Sequence, residues 1–302
     1  MEYKYFGGIM IYLPSVRSFI FILSLFFGFA AWSTPQFLDG KTLESVDLNQ
    51  SLQKIQPGTI LVIGEMHNVP AISQQHIDIL QSLRQQGLKV SVGMEFFNYT
   101  DQMFVDQYRQ GELTDEAFKN IINWGGFDFD LYKRQLLFPR NELGEVGLGI
   151  NLSRSITSAI SKGGLDSLSE EQKKLLPPQF ALGRESYRQR FFSTMGVTHP
   201  TPKLENYFVA QSAWDDTMAW QTVNFLKDHS DHVFVIIVGE FHVQYGGGLP
   251  DRIQARMKEA GMSRSLVTVS QILTEGLTPE DIQKEIAPSE TEGARADYII
   301  LN

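Results

Sequence analysis

Three short apolar runs punctuate the chain, each closed by glycine. Residues 59–63 (Thr-Ile-Leu-Val-Ile) stop at Gly64, residues 89–92 (Lys-Val-Ser-Val) at Gly93, and residues 233–238 (Val-Phe-Val-Ile-Ile-Val) at Gly239. Continuous rather than alternating apolar character predicts strands buried on both faces, as in a parallel sheet. Between the first two runs, Ile77, Leu80 and Leu83 fall at helical spacing within residues 73–86, and Gly87 provides a stop. Strand, helix and strand thus succeed one another within about forty residues, the pattern of a right-handed βαβ unit.

Residues 101–138 read as helices broken near Gly125 and Gly126, and residues 145–151 as a further strand ending at Asn151. Residues 155–205 are polar, with breaks at Pro177, Pro178 and 198–202, and suggest a small helical lobe inserted into the sheet domain. One long helix is expected over 207–227. Beyond 275 the chain reads as an acidic, weakly periodic tail with a last strand at 298–301. The expected fold class is α/β: a mainly parallel sheet flanked by helices, with that smaller inserted lobe.

The N-terminus carries a different pattern. Residues 18–31 hold no charge, follow Arg17, and are too short to span a bilayer comfortably as a helix. Ala31 and Ser33 place small residues ahead of Thr34, which predicts a signal peptide over 1–33 and a domain over 34–302. The expected location is the periplasm or cell envelope, with no stable membrane insertion after cleavage. An uncleaved anchor is the alternative, and Met10 offers a second start. The absence of cysteine removes lipidation, disulfides, thiolate metal sites and cysteine nucleophiles. Thirty-five acidic against 26 basic residues give a net charge of −9, which argues against a nucleic-acid partner.

The candidate chemistry lies at the strand ends. The first apolar run ends in Gly64-Glu65-Met66-His67 and the last in Gly239-Glu240-Phe241-His242, the same Gly-Glu-x-His twice. Ligand sites in open α/β sheets form outside the carboxyl ends of strands, so the two motifs are expected to converge. Two imidazoles and two carboxylates in one cleft suit a divalent ion, a haem iron or acid–base work, and as plain structure they cap strand-end backbone. Glu95 ends another strand beside Phe96 and Phe97. His76 reads as structural, while His199, His229 and His232 read as surface residues. Tyr245 precedes a Gly-Gly-Gly run, where its phenol either ligates iron or packs.

Several separated blocks carry a resemblance: residues 61–70, 92–96, Trp124 with Asp128 and Tyr132 before 149–152, 210–219, and 238–250. Together they are similar to the ChaN family of haem-binding uptake proteins, grouped with Tiki metalloproteases and erythromycin esterases, over most of residues 55–260. The resemblance implies an α/β core, an envelope location and haem held in a cleft that two subunits of a homodimer share. On this reading His67, His242 or Tyr245 ligates iron beside Glu65 and Glu240, Phe241 and Phe96 stack on the macrocycle, and Arg252 meets a propionate. The role is carriage or storage of haem during iron uptake, without turnover. The competing reading is a hydrolase of peptides or esters that depends on a divalent metal such as zinc or manganese. There His67, His242 and Glu95 hold the metal and Glu65 or Glu240 acts as general base. A ligand-free structural protein is the third reading.

Overall fold

The apolar runs become the middle of a seven-stranded sheet in the computed structural model, which describes residues 35–302. The expected signal peptide and the second start at Met10 lie outside the described residues. The strands are β1 (Gln36–Asp39), β2 (Ile60–Glu65), β3 (Lys89–Asn98), β4 (Gly147–Asn151), β5 (His232–Gly239), β6 (Leu266–Ile272) and β7 (Tyr298–Leu301). Their order across the sheet is β1-β7-β6-β2-β5-β3-β4. Every neighbouring pair is parallel except β1 with β7 at one edge. β2 and β5 lie side by side at the centre, buried along their whole length.

Alternate side chains of these strands enter two cores. On one face Leu61, Ile63, Val235 and Ile237 pack with Ile77, Leu80 and Leu83 of the helix that follows β2. On the other, Ile60, Val62, Ile236 and Val238 pack with Met218 and Val223 of one later helix and Ile253 of another. Helices on both faces leave no wet side to the sheet, which is why β2 and β5 are apolar without alternation. Truncating a side chain such as Ile237 to alanine would cost about 2–5 kcal/mol.

On the first face, after α1 (Leu48–Leu52), lie α2 (Pro70–Gln85), α3 (Gln102–Arg109), α4 (Asp115–Ile121) and α5 (Asp130–Leu136). α2 starts earlier than its periodicity suggests because Pro70 occupies the first helical turn, where its missing N–H costs nothing. Residues 155–205 hold most of α6 (Arg154–Gly163), then α7 (Glu170–Lys173) and α8 (Glu185–Thr194). They belong to the same compact unit as the sheet, with Ile156 and Ile160 packed on Ala210 and Ala213.

The long helix α9 (Pro202–Asp228) again begins at a proline, capped by the Thr201 hydroxyl. With α10 (Leu249–Glu259) it covers the second face. The acidic tail is more ordered than its weak periodicity suggests: α11 (Pro279–Ile286) opens on a capping box of Thr278 and Asp281, and β7 inserts between β1 and β6. His232 departs from the surface placement expected of it: it is buried at the start of β5, with Nδ1 2.8 Å from Ser91 Oγ.

Candidate functional site

The two Gly-Glu-x-His motifs end adjacent parallel strands, but not in step. Glu65 pairs with Gly239, and Gly64 with Val238. Because side chains alternate across a strand, this offset of one residue sends Glu65 and Glu240 to opposite faces of the sheet. The glycines permit the close approach. A Cβ on Gly239 would lie 3.0 Å from His67 Nε2, and one on Gly64 would lie 3.0 Å from Glu240 Cα.

Past Glu65 the chain turns outward through Asn68, whose φ of +65° is a left-handed conformation that asparagine tolerates. Asn68 is anchored by its N–H to Tyr132 Oη at 2.7 Å and by its side-chain oxygen, which accepts from Asp128 N at 2.8 Å. His67 is thereby held between two carboxylates. Its Nδ1 donates to Glu65 Oε1 at 2.9 Å and its Nε2 lies 3.1 Å from Glu95 Oε1 as an ion pair. Burial works against its charge, but the two acceptors prevail and its pKa is pushed up to about 10. Phe96 and Phe127 flank the ring with centroids at 5.2 and 4.9 Å.

The second motif coils instead of extending. Glu240–His242 forms one turn of 3₁₀ helix that swings His242 back toward α9. There His242 Nδ1 donates to the fully buried Asp215 Oδ1 at 2.6 Å. Burial disfavours the imidazolium, yet Asp215 and Glu95 raise its pKa; burial raises that of Asp215. Glu95 links the two imidazoles, with Oε2 3.5 Å from His242 Nε2 and no hydrogen bond of its own. Burial opposes ionisation of Glu95, and the His67 bond with the His242 charge outweighs it, so its carboxyl stays below the ordinary value.

Glu240 does not orient His242. Its Oε1 accepts from Ser270 Oγ at 2.7 Å and Arg295 Nε at 2.9 Å, and its Oε2 from Gln244. His76 has the structural place expected of it: fully buried, it donates from Nε2 to Gln271 Oε1 at 2.7 Å and lies 3.5 Å from Glu65 Oε2.

A cleft of about 660 Å³ opens over this rim. His67 and His242 border it, and Met66, Phe241, Ile272, Leu273 and Leu277 supply an apolar wall. Two expected residues lie elsewhere. Arg252 is buried and donates from Nε and Nη2 to Asp216 Oδ1 at 3.0 and 2.9 Å, so it does not border the cleft. Tyr245 is held with φ +56° between the guanidiniums of Arg190 and Arg295, 5.2 and 5.9 Å from its ring centroid. Its hydroxyl donates to Ala287 O at 3.3 Å. Among the described residues, no group of three or more histidine, aspartate and glutamate side chains is disposed to hold a metal ion. His67, His242 and Glu95 do meet, but as ion pairs.

A parallel sheet covered on both faces, with paired acids and imidazoles converging under a cleft at its C-terminal rim, defines an α/β ligand-binding protein. The family model described as haem-binding uptake, Tiki superfamily, ChaN, matches residues 51–253. The chain belongs to this family. Among solved structures, it is similar to one described as cofacial heme binding to ChaN of Campylobacter jejuni, with TM-score 0.59, 18% identity and coverage of 88% of this chain and 96% of that one. At that identity the likeness concerns the fold. Weaker likenesses are the type III effector HopBA1 (TM-score 0.42, 15% identity, 80% and 87% coverage) and an erythromycin esterase in its open conformation (0.45, 10%, 88% and 97%). No curated protein matches the chain by sequence.

Proposed function

We propose that this protein binds haem non-covalently in the cleft over the strand ends and carries or stores it in the cell envelope for iron uptake. The observation that carries the reading is the convergence of His67 and His242 on one apolar-walled cleft of about 660 Å³. The donors fit the group: each imidazole is oriented by a carboxylate, as ligating histidines commonly are, and Met66, Phe241 and Leu277 offer apolar surface to a flat ring. His67 and His242 are the side chains that would hold it. Haem, when bound, supplies an iron centre as cargo, and the protein's part is to hold it and keep water off it.

Titration of the purified protein with hemin tests this. A saturable shift of the Soret band that is lost in His67→Ala or His242→Ala supports the reading, and an unchanged Soret band overturns it. Light scattering with and without hemin tests whether two copies share the cleft, and N-terminal sequencing of the protein from cell fractions tests export and cleavage before Thr34.

One observation favours a second reading: a protonated imidazole bracketed by two carboxylates, beside an Asp–His pair, is also an acid–base device. In a hydrolase of envelope peptides or esters, His67 would donate to the leaving group while Glu95 accepts a proton from water. Turnover of an ester panel without added metal, lost in Glu95→Gln, supports it. Metal-dependent hydrolysis has no such support, since among the described residues no group of three or more histidine, aspartate and glutamate side chains is disposed to hold a metal ion.

A further inference from the structure

Imidazoles and apolar side chains suit the iron and the flat body of a haem, and leave its two propionate carboxylates without a partner. Arg252, to which the sequence points for a propionate, is bonded to Asp216 inside the protein. Among the described residues, the lysine or arginine that does border the cleft is Arg295. It lies just ahead of β7, outside residues 51–253 that the family model matches.

Arg295 is only 6% exposed, yet its guanidinium is not fully occupied. Nε donates to Glu240 Oε1 at 2.9 Å and to Ser270 Oγ at 3.2 Å, which fixes the plane of the group. Nη1 donates to the Glu285 carbonyl and to Glu285 Oε2, the latter at 3.1 Å. Nη2 makes no hydrogen bond among the described residues, and it is not sealed from solvent. A donor without a protein partner is uncommon on so buried a side chain, and the group that fits a guanidinium fork is a carboxylate. One is already at hand on Nη1: Glu285, next to last in α11, borders the cleft with its side chain 51% exposed. Half in water, that side chain can give up its place while its carbonyl keeps hold of Nη1.

We infer that Arg295 is the propionate-binding residue of the cleft: a carboxylate of the ligand lies across Nη1 and Nη2 and displaces the side chain of Glu285, which acts as an internal competitor. This rests on the reading of the cleft as a haem site.

The test compares hemin with hemin dimethyl ester, which keeps the iron and the ring and lacks both free carboxylates, by Soret titration of the purified full chain. Hemin binds about tenfold more tightly, the worth of one charge-assisted pair. Glu285→Gln removes the competing charge and widens that ratio about threefold, through hemin and not through the ester. Arg295→Lys keeps a charge without the fork and narrows the ratio. Circular dichroism checks the fold of each variant; if Arg295→Lys does not fold, the half-exposed Glu285→Gln decides. Equal affinities for the two porphyrins in the parent protein, or an unchanged ratio in either variant that folds, overturns the inference and leaves the haem reading standing. A Soret band unmoved by either porphyrin overturns both.

Discussion

The two Gly-Glu-x-His motifs are alike in three of four positions and unlike in what those positions do. In the first, the acid ends β2 and faces the α2 side, where it holds His67 and approaches His76. In the second, the acid lies one level higher, just past the end of β5, faces the other side of the sheet, and is taken by Ser270 and Arg295. His242 then draws its carboxylate from Asp215 on α9, far along the chain. A one-residue offset between adjacent strands thus turns a sequence repeat into two different devices, a part-exposed imidazole held by its own motif's acid and Glu95, and a less exposed one hydrogen-bonded to an acid from another element.

The largest effect is expected at Asp215. Removing one partner of a buried ion pair leaves the other charge uncompensated, at a cost of about 3–5 kcal/mol. Asp215→Ala should lower the thermal midpoint by roughly 10 °C in a chain of this size, and calorimetry measures it. Loss in Glu240→Ala comparable to that in Asp215→Ala, with His242 undisturbed by the latter, would mean that the second motif orients its own histidine after all.

Paired substitutions sharpen the contrast. Glu65→Gln removes the oriented partner of His67, and changes of this kind at ligating histidines weaken binding about 10–100-fold. Glu240→Gln should leave hemin affinity within about twofold, because Glu240 touches neither imidazole, while lowering stability by about 1–3 kcal/mol through the loosened Arg295. Hemin titration and chemical denaturation of both variants separate the two outcomes, and equal binding losses would contradict the asymmetry. Gly239→Ala comes next: its Cβ would press on the His67 ring at 3.0 Å, so the ring must shift by a few tenths of an ångström. A severalfold loss of affinity with about 1–3 kcal/mol of destabilisation is expected.

Much of this was readable in the chain. β2, β3, β5 and α2 announce themselves because strands covered on both faces are continuously apolar and an amphipathic helix is periodic. β6 is not so visible: Thr268, Ser270 and Gln271 make it look half-polar, yet they are buried and bonded to Asp297, Glu240 and His76. The repeated motif was equally plain, and so was the rim on which it meets. The partners were not, because they depend on strand register, which no local pattern records. Asp215 and Asp216 left one faint signal: two adjacent acids inside an otherwise apolar stretch of helix, where a carboxylate is costly unless paired. Arg252 followed the opposite course, since a lone arginine after a glycine loop looks free until Asp216 is seen beside it.

The smallest effect, and the most direct reading of the first motif, is the dependence of stability on pH. The folded protein holds the His67 proton up to about pH 10, whereas an unfolded chain releases it near 6.5. The stabilisation from its two acid partners is therefore complete below about 6.5 and is lost as the pH rises through 10, because over that interval the unfolded state binds fewer protons. With His67 a third exposed, water screens the pairs and the loss stays well below what the shift alone suggests. His76 acts with the opposite sign: burial lowers its pKa, so the unfolded chain takes up a proton first and stability falls as the pH drops below 6.5. Denaturation midpoints across the pH range should show both limbs. His67→Gln should reduce the alkaline limb alone, leaving the share of His242, and His76→Gln the acid limb alone, leaving the share of His232. An alkaline limb left unchanged by His67→Gln would mean that Glu65 and Glu95 do not grip that imidazole as ion pairs, and the distinction between the two motifs would then rest on geometry without charge.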